Sequence, residues 1–200
     1  ARGTEFQAFG GTMPHHVTIL PFTRLNGGPM DYTPGIFVMD LASVTEGRNN
    51  SWVNATIANQ LALYVTMSSP LQMAADLPEH YARFMDAFQF IKDVDIDWIQ
   101  SRYLLAEPGE YVVIARQGKK NGQWFCGGVT DDHKRSLDIP LQFLEPGKVY
   151  EATIYRDAED AHYKENPQAY VVEKRNVTFH DYLPITMAPG GGFAISFEEV

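Results

Sequence analysis

The 200-residue sequence predicts two structural parts: helices and loops over residues 1–97, then an antiparallel β-sandwich or barrel over residues 98–200. Two observations support this division. In the first part, apolar side chains recur every three or four positions, which is the period of an amphipathic helix. In the second part, short runs of alternating apolar residues are separated by turns that contain Gly and Pro, as in all-β domains.

Composition and charge limit the classes of function. The sequence is 44% hydrophobic and 20% charged, which is typical of a folded globular domain. Its 25 acidic and 16 basic residues give a net charge of −9, so we expect no nucleic-acid partner, because such binding needs clustered Lys and Arg. No run approaches the roughly 18 apolar residues of a membrane span. Cys126 cannot form an internal disulfide, since it is the single cysteine, and is predicted to be buried.

The first half is predicted to be mostly loop up to residue 52. Residues 16–22 are apolar and β-branched, which favours a buried strand or an extended segment. Residues 54–68 are predicted to form a helix, and Ser69-Pro70 ends that pattern. The apolar residues of this helix share one face at helical spacing: Ile57, Leu61, Tyr64 and Val65.

Two further elements precede the β-rich part. Leu71 to Ala75 is a short apolar run that we interpret as a buried strand. A helix is predicted from Pro78 to about Val94, with Asp76 as a residue able to cap it. The aromatic residues of this helix keep helical spacing, and we interpret them as core.

Eight strands are predicted in the second half. Their bounds are 98–105, 111–117, 123–129, 136–142, 149–156, 169–175, 182–187 and 192–198. Turns rich in Gly and Pro separate several of them, as at Glu107-Pro108-Gly109 and Glu145-Pro146-Gly147.

Four groups of residues, each weak alone, together carry a specific resemblance that covers nearly the whole chain. They are Arg2-Gly3-Thr4-Glu5-Phe6; Leu20 to Arg24 with Gly28 to Gly35; Gln60 to Tyr64 with Ser69 to Pro78; and Ala152 to Asp157 with Asn166-Pro167 and Ala188 to Phe193. In this order they resemble glycoside hydrolase family 97.

The resemblance implies a fold and an activity. Residues 1–97 would be the C-terminal portion of a TIM-type (β/α)8 catalytic barrel, and residues 98–200 the C-terminal β-sandwich. The N-terminal portion of the same enzyme would be missing from this chain, whose start resembles a cut within a longer protein. The family implies hydrolysis of α-glucosides or α-galactosides, a calcium ion in the active site, and a periplasmic or secreted location.

Glu5 is the site residue that the resemblance assigns. In the family, a Glu after an Arg-Gly-x step is the general acid, or acid/base in retaining members, and that Glu corresponds to Glu5. The same residue is implied as a calcium ligand, since this cation prefers carboxylate oxygens. Glycoside hydrolysis usually needs a second carboxyl group. The resemblance implies that it comes from earlier barrel strands, so independent activity of this chain is in doubt.

Several other polar and aromatic residues of the first half could contact a ligand or could have a structural role. Asp31 is interpreted as a loop residue that pairs with Arg24 rather than as the second carboxylate. His16 is a candidate for a hydrogen bond to a sugar hydroxyl. His15 and His16 are not expected to share a metal ion, because neighbours in an extended segment point to opposite faces. Stacking on a sugar and packing at the rim both remain open for the aromatic residues Phe6, Phe9 and Tyr32.

Two acidic stretches are interpreted as solvated turns: residues 131–133 and residues 157–162. The alternative function is a non-catalytic, carbohydrate-associated β-sandwich module. The partner under both hypotheses is a saccharide. The sequence leaves open the choice between glucoside and galactoside, and between retention and inversion.

Overall fold

Eight antiparallel strands make up the second half of the computed structural model, which describes residues 3–69 and 71–200. The strands are β1 (Trp98–Glu107), β2 (Tyr111–Gly118), β3 (Trp124–Thr130), β4 (Arg135–Pro140), β5 (Val149–Asp157), β6 (Tyr170–Thr178), β7 (Tyr182–Met187) and β8 (Gly192–Glu199). Each corresponds to one of the predicted strands, with ends that differ by at most three residues. The antiparallel sandwich predicted for this half is confirmed.

Two sheets face each other. One has six strands in the order β1-β2-β3-β8-β5-β6, and the other pairs β4 with β7. Strand alternation sends successive side chains to opposite faces of the larger sheet. In β2, Val113 and Ala115 pack toward Ile139 and Ile185 of the smaller sheet. Val112 and Ile114 point to the other face.

The other face of the larger sheet is covered by the first half of the chain. Its helices are α1 (His15–Ile19), α2 (Leu41–Val44), α3 (Ile57–Thr66), α4 (Pro78–Tyr81) and α5 (Met85–Asp93), with 3-10 turns at Thr4–Phe9, Leu20–Phe22 and Arg24–Gly27. All ten residues of α3 are buried. The predicted helix over 54–68 is therefore confirmed, and it lies between the sheet and the loops of residues 30–40.

Helix α3 approaches the sheet at glycine. A Cβ on Gly127 would lie 2.8 Å from the Ala62 carbonyl oxygen and 2.9 Å from the Val65 Cβ. At the start of the helix, the Thr56 hydroxyl accepts a hydrogen bond from the Asn59 N–H. At its end, the Arg116 guanidinium of β2 donates to the Val65 carbonyl over 2.6 Å, which satisfies one of the last carbonyls of the helix.

The strand expected at residues 16–22 is wrong. These residues form α1 and a 3-10 turn. A helical turn places Val17 and Leu20 together against the apolar cluster that includes Ile114. The Thr18 hydroxyl donates to the His15 carbonyl over 2.7 Å, which supports this turn. A short apolar run does not by itself distinguish these two outcomes.

The strand expected at Leu71 to Ala75 is also wrong. Leu71 and Met73 are 59% and 47% exposed. The segment is extended without a strand neighbour, and the Tyr64 hydroxyl fixes it by donating to the Met73 carbonyl over 3.0 Å. Within residues 3–69 and 71–97 we find no strand of a parallel barrel, so the expected barrel remnant is not evident in this chain.

The helix predicted from Pro78 to Val94 is divided into α4 and α5. The turn between them lets Tyr81 and Phe84 both contact Phe37, with ring centroids 5.0 and 6.0 Å away. Asp76 does not cap α4, whose N-cap is Leu77. Its carboxylate instead accepts hydrogen bonds from the N–H groups of Phe37 and Val38.

No helix in the described part of the chain is long and apolar enough to cross a membrane.

Candidate active site

Glu5 lies in the first turn of the 3-10 helix Thr4–Phe9, with its side chain exposed. The carboxyl group turns back toward Gly3, where a Cβ would lie 2.5 Å from Oε2. The helix ends at Gly10, whose φ of 98° is in the left-handed region that favours glycine. Arg2, the first residue of the motif that singled out Glu5, lies outside the described residues.

The backbone that carries Glu5 is anchored on two sides. The Thr4 hydroxyl accepts a hydrogen bond of 2.6 Å from the Thr33 N–H, which fixes the start of the turn to the loop after residue 29. Asn49 donates to the Ala8 carbonyl over 2.9 Å, and Ser51 accepts from the Gly10 N–H over 2.9 Å. Glu5 is therefore a solvent-accessible acid on a fixed backbone.

Tyr32 lies below this turn. It is 3% exposed and belongs to the apolar cluster of Val17 and Met30. Burial raises the pKa of Tyr32, and the nearby negative charge of Glu5 raises it further. The hydroxyl therefore stays protonated at neutral pH. Because its ring is buried, Tyr32 packs in the core, whereas Phe9 is 76% exposed at the end of the turn.

His16 lies with His15 on the first turn of α1 and is half-buried. Both histidines line a cavity of about 300 Å3, whose other walls include Thr12 and Asn54. The expectation that the two rings would point to opposite faces is wrong, because the segment is helical and not extended. Glu5 does not line this cavity.

The loop that follows α1 is held by Arg24. Its guanidinium donates to the carbonyls of Gly28 and Pro29, each over 3.3 Å. The expected pairing of Arg24 with Asp31 is not among the ion pairs of the described residues. Asp31 itself is exposed.

A calcium ion at Glu5 would need further ligands, since Ca2+ takes six to eight oxygens. In the parts of the chain that the structure describes, the one group of three potential metal-ligating His, Cys, Asp or Glu side chains is Asp131, Asp132 and His133, on the sandwich. Among the described residues, Glu5 therefore has no such cluster of acidic side chains around it.

Each of the two stretches predicted to be solvated turns contains a buried aspartate. At residues 131–133, Asp132 and His133 are exposed as predicted, but Asp131 is only 7% exposed. Its carboxylate accepts from the His133 ring and lies 3.7 Å from Arg135. Residues 157–162 begin with Asp157, which is 2% exposed. The prediction that Asp157 belongs to a solvated turn is therefore wrong.

Asp157 is a buried carboxyl group that the sequence did not reveal. It accepts a hydrogen bond of 2.6 Å from the Thr56 hydroxyl and bonds of 2.8 Å from the Ala188 and Gly192 N–H groups. It thereby joins the start of α3 to the segment between β7 and β8. No local pattern distinguishes such an Asp from one in a solvated turn, because its three partners are distant in sequence.

A family model described as glycosyl-hydrolase 97 C-terminal, oligomerisation, matches residues 97–198. The match covers β1 to β8, which form the two sheets.

Known proteins resemble the rest of the chain as well. The retaining alpha-galactosidase of Bacteroides thetaiotaomicron is 34% identical over 185 residues, which are 90% of this chain and 27% of that protein. A glycoside hydrolase family 97 enzyme from Pseudoalteromonas sp. strain K8 has been solved in complex with panose and with acarbose. It is 45% identical, with a TM-score of 0.93 over 100% of this chain and 31% of its own. The chain thus spans about a third or less of these relatives.

Proposed function

Because the chain belongs to glycoside hydrolase family 97, we propose that it is the C-terminal part of an α-glycosidase in which Glu5 is the general acid. The observation that carries this proposal is the likeness over the whole chain to a family 97 enzyme that binds acarbose. The position of Glu5 is compatible with the role, since its carboxyl group is accessible while its backbone is held by Thr33 and Ser51.

The acid step assigned to Glu5 is a single proton transfer. As the bond between the anomeric carbon and the glycosidic oxygen breaks, the Glu5 carboxyl group gives its proton to that oxygen, and the leaving group departs as a neutral alcohol. The anomeric carbon forms a new bond to the second carboxylate in retaining members, or to a water molecule whose proton that carboxylate accepts in inverting ones. The second carboxylate would come from the rest of the enzyme. In retaining members Glu5 would then act as base and take a proton from the attacking water.

The remaining site assignments are proposals that depend on the same likeness. Glu5 would supply one carboxylate to a calcium ion whose other ligands come from the rest of the enzyme. His16 would donate a hydrogen bond to a sugar hydroxyl from the cavity that it shares with His15. The protein would act in the periplasm or outside the cell.

We propose that the helical half adjoins the catalytic barrel of the complete enzyme. Several large apolar side chains of this half are exposed: Phe9, Met13, Leu71, Met73 and Leu77. A neighbouring domain would bury them, since the removal of apolar side chains from water favours association. The sandwich is proposed to contribute to oligomerisation, which is the role that the family description names.

The sugar is an α-galactoside or an α-glucoside. The curated relative is named as an alpha-galactosidase, whereas the solved enzyme is 45% identical and was studied with panose and acarbose. The discriminating assay compares turnover of p-nitrophenyl α-galactoside and p-nitrophenyl α-glucoside by the full protein that carries these 200 residues.

The test of the acid role is Glu5→Gln in that protein, which should lower turnover of an α-linked disaccharide of the preferred sugar by about 10²- to 10⁴-fold. Glu46→Gln is the matched control, because Glu46 is an exposed glutamate of the same half, and its turnover should equal that of the unmodified protein. Absence of turnover in the full protein would instead favour the non-catalytic sandwich module.

A further inference from the structure

The sandwich contains a cavity of about 590 Å3 that the proposed active site does not use. Its floor is a row of residues in register across four adjacent strands. Gln100 of β1 is opposite Gln117 of β2, Gln117 is opposite Trp124 of β3, and Trp124 is opposite Phe197 of β8. The loop between β4 and β5 forms the opposite wall through Phe143, Glu145 and Lys148.

The aromatic part of the cavity is rigid. Phe143 is half-buried, and its ring centroid lies 5.0 Å from that of Trp124 and 5.4 Å from that of Phe197. Trp124 and Phe197 are themselves buried in the core between the two sheets. Phe143 therefore presents a fixed ring to the cavity, against which the apolar C–H face of a sugar ring can pack.

The polar part of the cavity is rich in amides. The side-chain amide of Gln100 donates to the side-chain oxygen Oε1 of Gln117 over 2.8 Å. The side-chain amide of Gln117 donates to the backbone carbonyl of Gly122 over 3.0 Å. An amide offers two donors and two acceptor lone pairs, so each side chain keeps hydrogen-bonding capacity beyond these bonds. Gln123 and Asn121 add two more amides. Planar groups that both donate and accept match the adjacent hydroxyl groups of a sugar.

The charge of the cavity disfavours acidic ligands. The walls carry the carboxylates of Glu145, Glu198 and Glu199 and the ammonium group of Lys148. Lys148 lies 2.8 Å from Glu145 and 2.9 Å from Glu199, so its charge is already paired. The excess of negative charge disfavours phosphates and acidic sugars.

We propose that this cavity is a saccharide-binding site for neutral sugars, with Phe143 as the stacking ring and Gln100 and Gln117 as hydrogen-bonding partners. Its volume falls within the 300–1,000 Å3 typical of small-molecule sites. A second cavity, of about 410 Å3, shares Asn121, Gln123 and Glu198 with the first. The second cavity faces the helical half through Tyr155, on the other side of the larger sheet, so the proposed site is confined to the first.

The test is isothermal titration calorimetry of the 200-residue chain with maltotriose and raffinose, and with trigalacturonate as the acidic comparison. We expect at least one neutral sugar to bind with a Kd of about 1 mM, which is a weak affinity, and the acidic one not to bind. Phe143→Ala and Gln117→Leu should each weaken binding at least tenfold. Tyr182→Ala, which removes an exposed aromatic ring outside the cavity, should leave it unchanged.

Two features make the outcome decisive. Gln117→Leu retains the apolar packing around Phe143, so it tests the site even if Phe143→Ala does not fold, and thermal unfolding checks each variant. Absence of binding to both neutral sugars would overturn the proposal. So would binding that Gln117→Leu leaves intact.

Discussion

Asp157 is a buried side chain that joins the helical half to the sandwich. Its carboxylate accepts hydrogen bonds from the Thr56 hydroxyl and from the N–H groups of Ala188 and Gly192. Asp157→Ala would leave these buried donors unsatisfied, so we expect the free energy of unfolding to fall by about 3 kcal/mol. Urea denaturation measures this change. Asp138→Ala, on the exposed face of β4, should change it by less than about 0.5 kcal/mol.

The same carboxyl group makes stability depend on pH. Burial raises the pKa of Asp157 from its usual 3.8 to about 7, despite the opposing effect of its hydrogen bonds. Between these values the folded chain holds a proton that the unfolded chain releases, so the contribution of Asp157 to stability falls as pH rises from about 4 to about 7. Asp157→Asn does not titrate. Relative to this variant, the unmodified chain should therefore lose stability over that range in urea titrations, and a constant difference would contradict the assignment.

A local motif assigns Glu5 its role, and that role stays a prediction. The structure adds that the backbone of Glu5 is fixed by hydrogen bonds to Thr33 and Ser51. Asp157 was misread as part of a solvated turn, because its three partners lie at least 31 positions away in the chain. The arrangement of Gln100 and Gln117 beside Phe143 was also missed, since it arises from strand register and not from spacing along the sequence.

At the scale of elements, the close packing of α3 on β3 sets the distance between the two layers. A Cβ on Gly127 would lie 2.8 Å from the Ala62 carbonyl oxygen and 2.9 Å from the Val65 Cβ. Gly127→Ala should therefore push the helix from the sheet and lower the free energy of unfolding by about 1–3 kcal/mol. Thermal and urea unfolding both report this change.

Gly27→Ala is the matched control for that substitution, because an added Cβ there meets no atom within 4 Å. Its unfolding free energy should be unchanged within about 0.5 kcal/mol. If both variants were equally stable, the helix would not rest on the sheet at Gly127.

Elements were predictable to different degrees for a physical reason. The strands of the sandwich have alternating apolar residues and turns at both ends, so all eight were predicted near their observed bounds. The helix over 54–68 was predicted because its apolar residues recur at helical spacing over enough positions to show the period. Residues 16–22 and 71–75 are too short for a period to be read, and their structures depend on contacts with Ile114 and Tyr64 that the sequence does not reveal.

At the scale of the whole molecule, exposed apolar side chains predict association. Phe9 and Leu71 of the helical half are 76% and 59% exposed. We expect the 200-residue chain to self-associate with increasing concentration, and Phe9→Ser combined with Leu71→Ser to reduce that association, since water-exposed apolar area favours burial between copies. Sedimentation equilibrium gives the average mass. Val200→Ser removes an exposed apolar side chain at the opposite end of the sequence and serves as the control.

A monomeric chain over the whole concentration range would contradict that expectation.

The fold class as a whole was predictable for the sandwich but not for the helical half. The resemblance led to an expectation of barrel strands before residue 97, whereas the described residues there form helices and turns that cover a sheet.

The measurement that tests the central claim most directly is the dependence of Glu5→Gln on the leaving group. The leaving group of a dinitrophenyl α-glycoside, dinitrophenolate, departs without a proton. The leaving group of a disaccharide is a sugar hydroxyl, which needs a proton from the acid. In the full protein, Glu5→Gln should lower kcat/KM for the disaccharide by about 10²- to 10⁴-fold and kcat/KM for the dinitrophenyl substrate much less, since kcat/KM reports the step in which the leaving group departs. An equal loss of kcat/KM on both substrates, or none on either, would show that Glu5 is not the acid.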